Sequence, residues 1–156
     1  MRLSELLNTQ AITTRLHARS KREAIAELVE LLEKAHGIDS HGEILDRVLR
    51  REAMMSTGIG NGIAIPHGKA RLVDRLVAAC GVSSEGIEYE SADGEPATLF
   101  VLLVAPESGG ALHVKVLANI SRLLKEETVR RQLREAANPE AFYAVLKSAE
   151  GAHIPQ

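Results

Sequence analysis

The sequence predicts an α/β fold in which helices cover a central sheet. Three observations point to it: two capped segments with helical periodicity early in the chain, two continuous apolar runs of strand length in its middle, and a second set of helical patterns after them. No internal repeat, low-complexity segment or linker divides the 156 residues, which read as one domain over 1–150 followed by a frayed tail over 151–156. The order of the strands does not follow from these signals.

Ser20 followed by Glu23 forms a capping box. The run from Lys21 to Lys34 then carries Ala24, Ile25, Leu28, Leu31 and Leu32 on one helical face. Ser40 with Glu43 repeats the device ahead of Ile44, Leu45, Val48 and Leu49, and this helix should end near Ala53, before the small and glycine-rich residues from Ser56 to Gly62. Ile63-Ala64-Ile65, closed by Pro66, reads as a strand edge. Leu76 to Val82 and Thr98 to Val104 read as strands buried on both faces, joined by a polar, turn-rich stretch from Glu85 to Glu95. Helices follow over about Leu112–Lys125 and Glu127–Ala137. A last one opens with Asn138 as N-cap and Pro139 at its first position, and ends near Lys147.

Composition excludes several classes of function. Only 3% of residues are aromatic and none is Trp, so the core is aliphatic and a base-stacking surface is not expected. Nineteen basic against 21 acidic residues give a formal charge of -2, without the basic excess that a nucleic-acid backbone demands. The local clusters Arg47, Arg50, Arg51 and Arg130, Arg131, Arg134 read as solvated helix faces, Arg51 apart. The single cysteine, Cys80, precludes an internal disulfide and reads as a buried thiol. The N-terminus lacks a signal-peptide core, and Leu99–Ala105 is too short to span a bilayer, so a cytoplasmic protein with no membrane insertion is expected.

The chemistry concentrates around His67. Three glycines, Gly58, Gly60 and Gly62, precede it. They allow close backbone approach and an anion nest, but they lack both the Lys-Ser/Thr ending of a P-loop and the preceding strand of a dinucleotide fingerprint. His67 itself follows Pro66, which fixes the backbone, and precedes Gly68, which leaves space beside the ring. A neutral imidazole there is nucleophilic near pH 7 and able to carry a phosphoryl group.

The whole stretch, opening at Arg51 and running through Gly58-Ile59-Gly60-Asn61-Gly62-Ile63-Ala64-Ile65-Pro66-His67-Gly68-Lys69, closely resembles the active-site signature of the fructose/mannitol-type IIA domains of the phosphoenolpyruvate-dependent phosphotransferase system. Within that group it is most similar to the nitrogen-regulatory branch. A second signature resembles the family's too: the apolar run Leu99–Ala105, Pro106, a glycine-rich link, then Leu112-His113-Val114-Lys115-Val116-Leu117 and Ser121-Arg122-Leu123-Leu124, with Val114 where Leu is commoner. The resemblance covers the chain from about Leu3 to Leu146.

It implies a central mixed sheet flanked by helices, and a phosphohistidine carrier in which His67, through Nε2, is the nucleophile. His113 would hydrogen-bond the phosphoryl oxygens or His67, and Arg51 would stabilise charge. The implied upstream donor is a small HPr-like or NPr-like phosphocarrier. The implied downstream acceptor is a IIB domain or a regulatory target, with a nitrogen- or potassium-linked role for the regulatory branch and fructose or mannitol uptake for the sugar-specific one. The chemistry agrees, because phosphoryl transfer between histidines needs positioning and charge stabilisation and no metal or cofactor. An apolar collar of Ile59, Ile63 and Ile65 around His67 is expected to dock the carrier. Two other readings are a regulatory module in which His67 is unused, and a metal site combining His67 and His113 with His36 or His41, which the spacing disfavours.

Overall fold

Ala97–Pro106, apolar at almost every position, becomes the central strand β6. The computed structural model describes residues 1–108 and 110–154, residues 110–112 by their backbone alone. In chain order the remaining elements are α1 (Leu3–Leu6), a 3₁₀ turn (Thr9–Ala11), β1 (Ile12–Thr13), α2 (Lys21–His36), α3 (Glu43–Met54), β2 (Gly58–Gly60), β3 (Ile63–Ala64), β4 (His67–Ala70) and β5 (Val77–Ile87). After β6 come α4 (Gly110–Leu124), α5 (Glu127–Arg134) and α6 (Pro139–His153).

The six strands form one mixed, open sheet in the order β1-β5-β6-β3-β2, with β4 also paired to β6. β5 runs antiparallel to β6, while β3 and β4 both run parallel to it, pairing with Leu99–Phe100 and with Leu103–Pro106 in turn. β3 and β4 are thus two halves of one interrupted strand. Pro66 interrupts it, and its carbonyl still accepts a hydrogen bond from the Leu103 N–H at 3.0 Å. The core is mainly aliphatic, with Tyr89, Phe100 and Phe142 buried in it, and Cys80 is fully buried there too, where burial pushes its thiol pKa up.

The helix caps follow the sequence in part. Ser20 accepts from the Glu23 N–H at 3.2 Å, and α2 ends on Gly37 in the left-handed region (φ 65°). Asn138 caps α6, with Pro139 in its first turn. At α3 the expected capping box does not form: Gly42 (φ 88°) is the N-cap, and Ser40 instead donates to Glu33 at 2.6 Å and accepts from the Ile44 N–H. Glu43 is drawn away by the backbone N–H groups of Arg71 (3.0 Å) and Leu72 (2.9 Å).

Four assignments also change. Residues 58–60 and 67–70, read as loop, are strands, and β5 continues through Ser83–Ile87 into the stretch read as turn. The last helix passes Lys147 and residue 150 to reach His153. Residues 151–153 are thus an exposed last turn of helix rather than a frayed tail, and Ile154 after them is buried, its carbonyl accepting from Arg2; residues 155–156 lie outside the described ones.

Candidate active site beyond the edge of strand β4

Among the described residues β4 pairs with β6 alone, which leaves its other edge free of a strand. α3 packs over one side of this strand, and the packing depends on Gly68. A Cβ there would meet the Val48 side chain and backbone nitrogen at 3.2 Å. Strand alternation then turns His67 and Lys69 together away from the buried positions Gly68 and Ala70. Beyond the free edge lies a cleft of about 450 Å³, walled by Arg47, Arg50, Arg51 and Met54 of α3, by β4, and by His113, Val114 and Leu117 of α4.

At its floor the half-buried His67 donates from Nδ1 to the Ile65 carbonyl oxygen at 2.8 Å. The carbonyl can only accept, so Nδ1 carries the proton and Nε2 keeps its lone pair. Burial lowers the His67 pKa below its ordinary 6.5. The Ile65 bond opposes that shift and the positive charge of Arg51 adds to it, so the ring is neutral at pH 7. The His113 ring meets His67 edge-on, centroids 5.2 Å apart and planes at 78°. It is 95% buried (5% exposed), yet neither of its nitrogens has a hydrogen-bond partner among the described residues. Burial, with the neighbouring His67 and Lys69, pushes its pKa down to about 4.

The three residues singled out by sequence, His67, His113 and Arg51, therefore meet around one cleft. Arg51 is held at the C-terminus of α3, where its guanidinium donates to the Met55 carbonyl at 2.8 Å. Lys69, Arg47 and Arg50 were not singled out. Lys69 becomes legible only once residues 67–70 are known to be a strand, because it then shares a face with His67. Arg47 and Arg50 line the cleft while pairing with Glu43, Glu107 and Asp46, so they are not purely solvated helix cations.

The expected isoleucine collar is not there. Ile63 and Ile65 are core residues, and Ile59 is exposed on β2 without lining the cleft. The exposed apolar groups at the cleft are Met54 (81% exposed) and Val114 (67%). The glycine segment is not an anion nest beside His67 but a hairpin, with the Gly62 carbonyl accepting from Thr98 and Leu99 and the Asn61 N–H donating to Asp93. His36 donates from Nε2 to the Ala78 carbonyl at 2.9 Å, and His41 is exposed beside Asp39; neither lines the cleft. Among the described residues no three His, Cys, Asp or Glu side chains are grouped to hold a metal, and no helix is long and apolar enough to cross a membrane.

Fold and site define a class of protein: an open mixed α/β sheet presenting paired neutral histidines in a cleft rimmed by cations. Residues 5–149 match the family described as "Phosphoenolpyruvate-dependent sugar phosphotransferase system, EIIA 2", and the chain belongs to that family. It is 37% identical over 146 residues to the "PTS system fructose-specific EIIABC component" of Bacillus subtilis, a match that covers 94% of this chain but only 23% of that protein. It is 35% identical over 146 residues to the "Nitrogen regulatory protein" of Bradyrhizobium diazoefficiens, covering 94% of this chain and 95% of that one. Among solved structures, the nitrogen regulatory protein IIA-Ntr of Neisseria meningitidis superposes with a TM-score of 0.84 at 27% identity, over 92% of this chain and 97% of that one.

Proposed function

We propose that this chain relays a phosphoryl group on His67 between proteins of the phosphotransferase system. One observation carries the reading. A neutral histidine with its Nδ1 proton committed to Ile65 faces a second, buried histidine whose two ring nitrogens have no partner among the described residues. A buried polar group without a partner is costly, and phosphoryl oxygens seated between the rings would supply one.

In the transfer, the Nε2 lone pair of His67 attacks phosphorus on a phosphohistidine donor. The new N–P bond forms as the donor's N–P bond breaks, and the donor imidazole leaves with that bonding pair. The His67 Nδ1–H keeps its hydrogen bond to the Ile65 carbonyl throughout. His113, neutral at pH 7, donates one N–H to the phosphoryl oxygens, while Arg51 and Lys69 offset the negative charge spread over them. No metal or cofactor enters this scheme.

The donor is a small HPr-like or NPr-like carrier, and the cytoplasm is where such a relay would work. The match along nearly the full length of a nitrogen regulatory protein supports a nitrogen- or potassium-linked regulatory role. The comparable identity to a fructose-specific component supports the second reading, a sugar-specific IIA that passes phosphate to a IIB domain.

The test is incubation with phosphoenolpyruvate, the general kinase of the system and a phosphocarrier, followed by intact-mass analysis. One phosphoryl group is expected on the wild type and none on His67→Ala. A wild type that gains no mass overturns the relay. Addition of a fructose IIB domain then separates the two roles: rapid loss of the label marks the sugar-specific component, and retention marks the regulatory one.

A further inference from the structure

Next to Arg51, but on the other side of α3 from the cleft, Glu52 is a buried carboxylate with a full set of partners. Lys21, the first residue of α2, reaches it at 2.9 Å, and the Tyr89 hydroxyl donates to it at 3.0 Å. The Thr57 backbone N–H donates to one of its oxygens at 2.9 Å, and the Thr57 hydroxyl donates to the other. Burial alone would raise this carboxyl's pKa, but the Thr57 and Lys21 contacts outweigh it and hold the pKa below the ordinary range, so the group is charged.

The consequence lies one link further along. Thr57 held in this way turns its carbonyl to the Ile65 N–H at 3.0 Å. Ile65 in turn presents its own carbonyl to His67 Nδ1 at 2.8 Å. Ile65 sits at the break between β3 and β4, just before Pro66, where its N–H finds Thr57 rather than the β6 ladder. The continuous path from Glu52 through Thr57 and Ile65 to the His67 ring is therefore made of hydrogen bonds whose directions are all fixed by chemistry.

We infer that Glu52 is a positioning residue for the relay, setting the tautomer and orientation of His67 through Thr57 and the Ile65 carbonyl. The inference rests on the reading of His67 as the phosphoryl acceptor. Its function in the chain is distinct from that of Lys21, which touches the carboxylate but stands outside the path.

Two variants separate the roles. Glu52→Ala removes both bonds to Thr57, whereas Lys21→Met removes the ion pair and leaves those bonds in place. The ring ¹⁵N shifts of His67 in the unphosphorylated protein report its tautomer without any transfer step. The wild type and Lys21→Met are expected to show the Nδ1–H form predominating, and Glu52→Ala a mixture. The rate of phosphoryl acceptance should fall on the order of 10- to 100-fold in Glu52→Ala, as loss of orientation at a reacting group does, and stay within about 2-fold in Lys21→Met.

Glu52→Gln, which keeps an acceptor oxygen for Thr57 and cannot open a large void, should recover part of the rate. It serves as the readout if the alanine variant does not fold. An unchanged tautomer in a folded Glu52→Ala or Glu52→Gln protein overturns the inference, as does an equal loss of rate in Lys21→Met. A wild type that shows the Nδ1–H tautomer but accepts no phosphate would instead sink the relay reading and leave the tautomer result standing.

Discussion

Because the Ile65 carbonyl can only accept, the ring nitrogen 2.8 Å from it is protonated, and the chemistry of His67 is left to Nε2. Acceptance of a phosphoryl group needs that nitrogen unprotonated. Burial and Arg51 lower the ring's pKa below 6.5, so the acceptance rate should climb from acid pH to a plateau with its midpoint below 6.5. Initial rates from a phosphorylated carrier between pH 5 and 8 test this, and a midpoint above 6.5 would contradict it. His113 makes a second residue-level prediction. Its pKa of about 4 in the folded chain lies below the ordinary 6.5, so the unfolded chain takes up this proton first, and its contribution to stability is lost as pH falls from 6.5 toward 4. Between pH 7 and pH 4.5 that is on the order of 2 kcal/mol, and His113→Leu should flatten the denaturation midpoint over this window relative to wild type. His67 and Arg51 were singled out by the long signature that contains them, and His113 by the second signature. Lys69 was not, because its place depends on a strand that Gly68 and Pro66 conceal.

Among the elements, legibility followed the strength of the local signal. α2 and α6 are marked by Ser20 and Asn138, whose side chains do accept from the first turn, and β6 by an unbroken apolar run. β2 carries glycine at two of its three positions and β4, short and preceded by Pro66, at one of four, compositions that read as loop; pairing with β3 and β6 makes them strands. The isoleucine collar failed for a related reason. Ile63 and Ile65 belong to the interrupted strand against β6 and face the core, so the apolar surface at the cleft is left to Met54 and Val114. The contact between α3 and β4 is the element-level determinant of the site, since α3 supplies Arg51 and β4 supplies His67. Gly68→Ala would put a methyl group at 3.2 Å from Val48 and force the two elements apart by a few tenths of an ångström. Overpacking of this kind costs about 1–3 kcal/mol, and the displacement should also slow phosphoryl acceptance at temperatures where the variant is fully folded. A combined Val48→Ala change, which clears the contact, should restore the rate. An unaffected rate in the single variant would show that the spacing of α3 and β4 does not matter to the site.

Across the whole molecule, the two ends of the chain are clasped together far along the sequence from His67. Glu150 of α6 is buried and accepts from both the backbone N–H and the hydroxyl of Ser4, one of the unpaired donors at the start of α1. Tyr143 donates to the Ser4 carbonyl at 2.9 Å, and Arg2 to the Ile154 carbonyl at 3.3 Å. None of this shows in the sequence, where Ser4 and Glu150 are 146 residues apart and a lone Glu near a chain end reads as solvated. The same clasp explains why the helix runs past Lys147: Ala149, Glu150 and Ile154 find buried partners that no local pattern announces. Removing the carboxylate in Glu150→Ala leaves the Ser4 N–H and hydroxyl buried without a partner, at a cost of about 3 kcal/mol. Urea denaturation should show that loss as a lower midpoint with an unchanged slope. These residues do not line the cleft, so phosphoryl acceptance by the folded variant should match wild type. A fall in stability with an intact rate assigns the clasp to the scaffold alone. A parallel fall in rate would mean that the helices closing the chain also hold α4, and with it His113, in place.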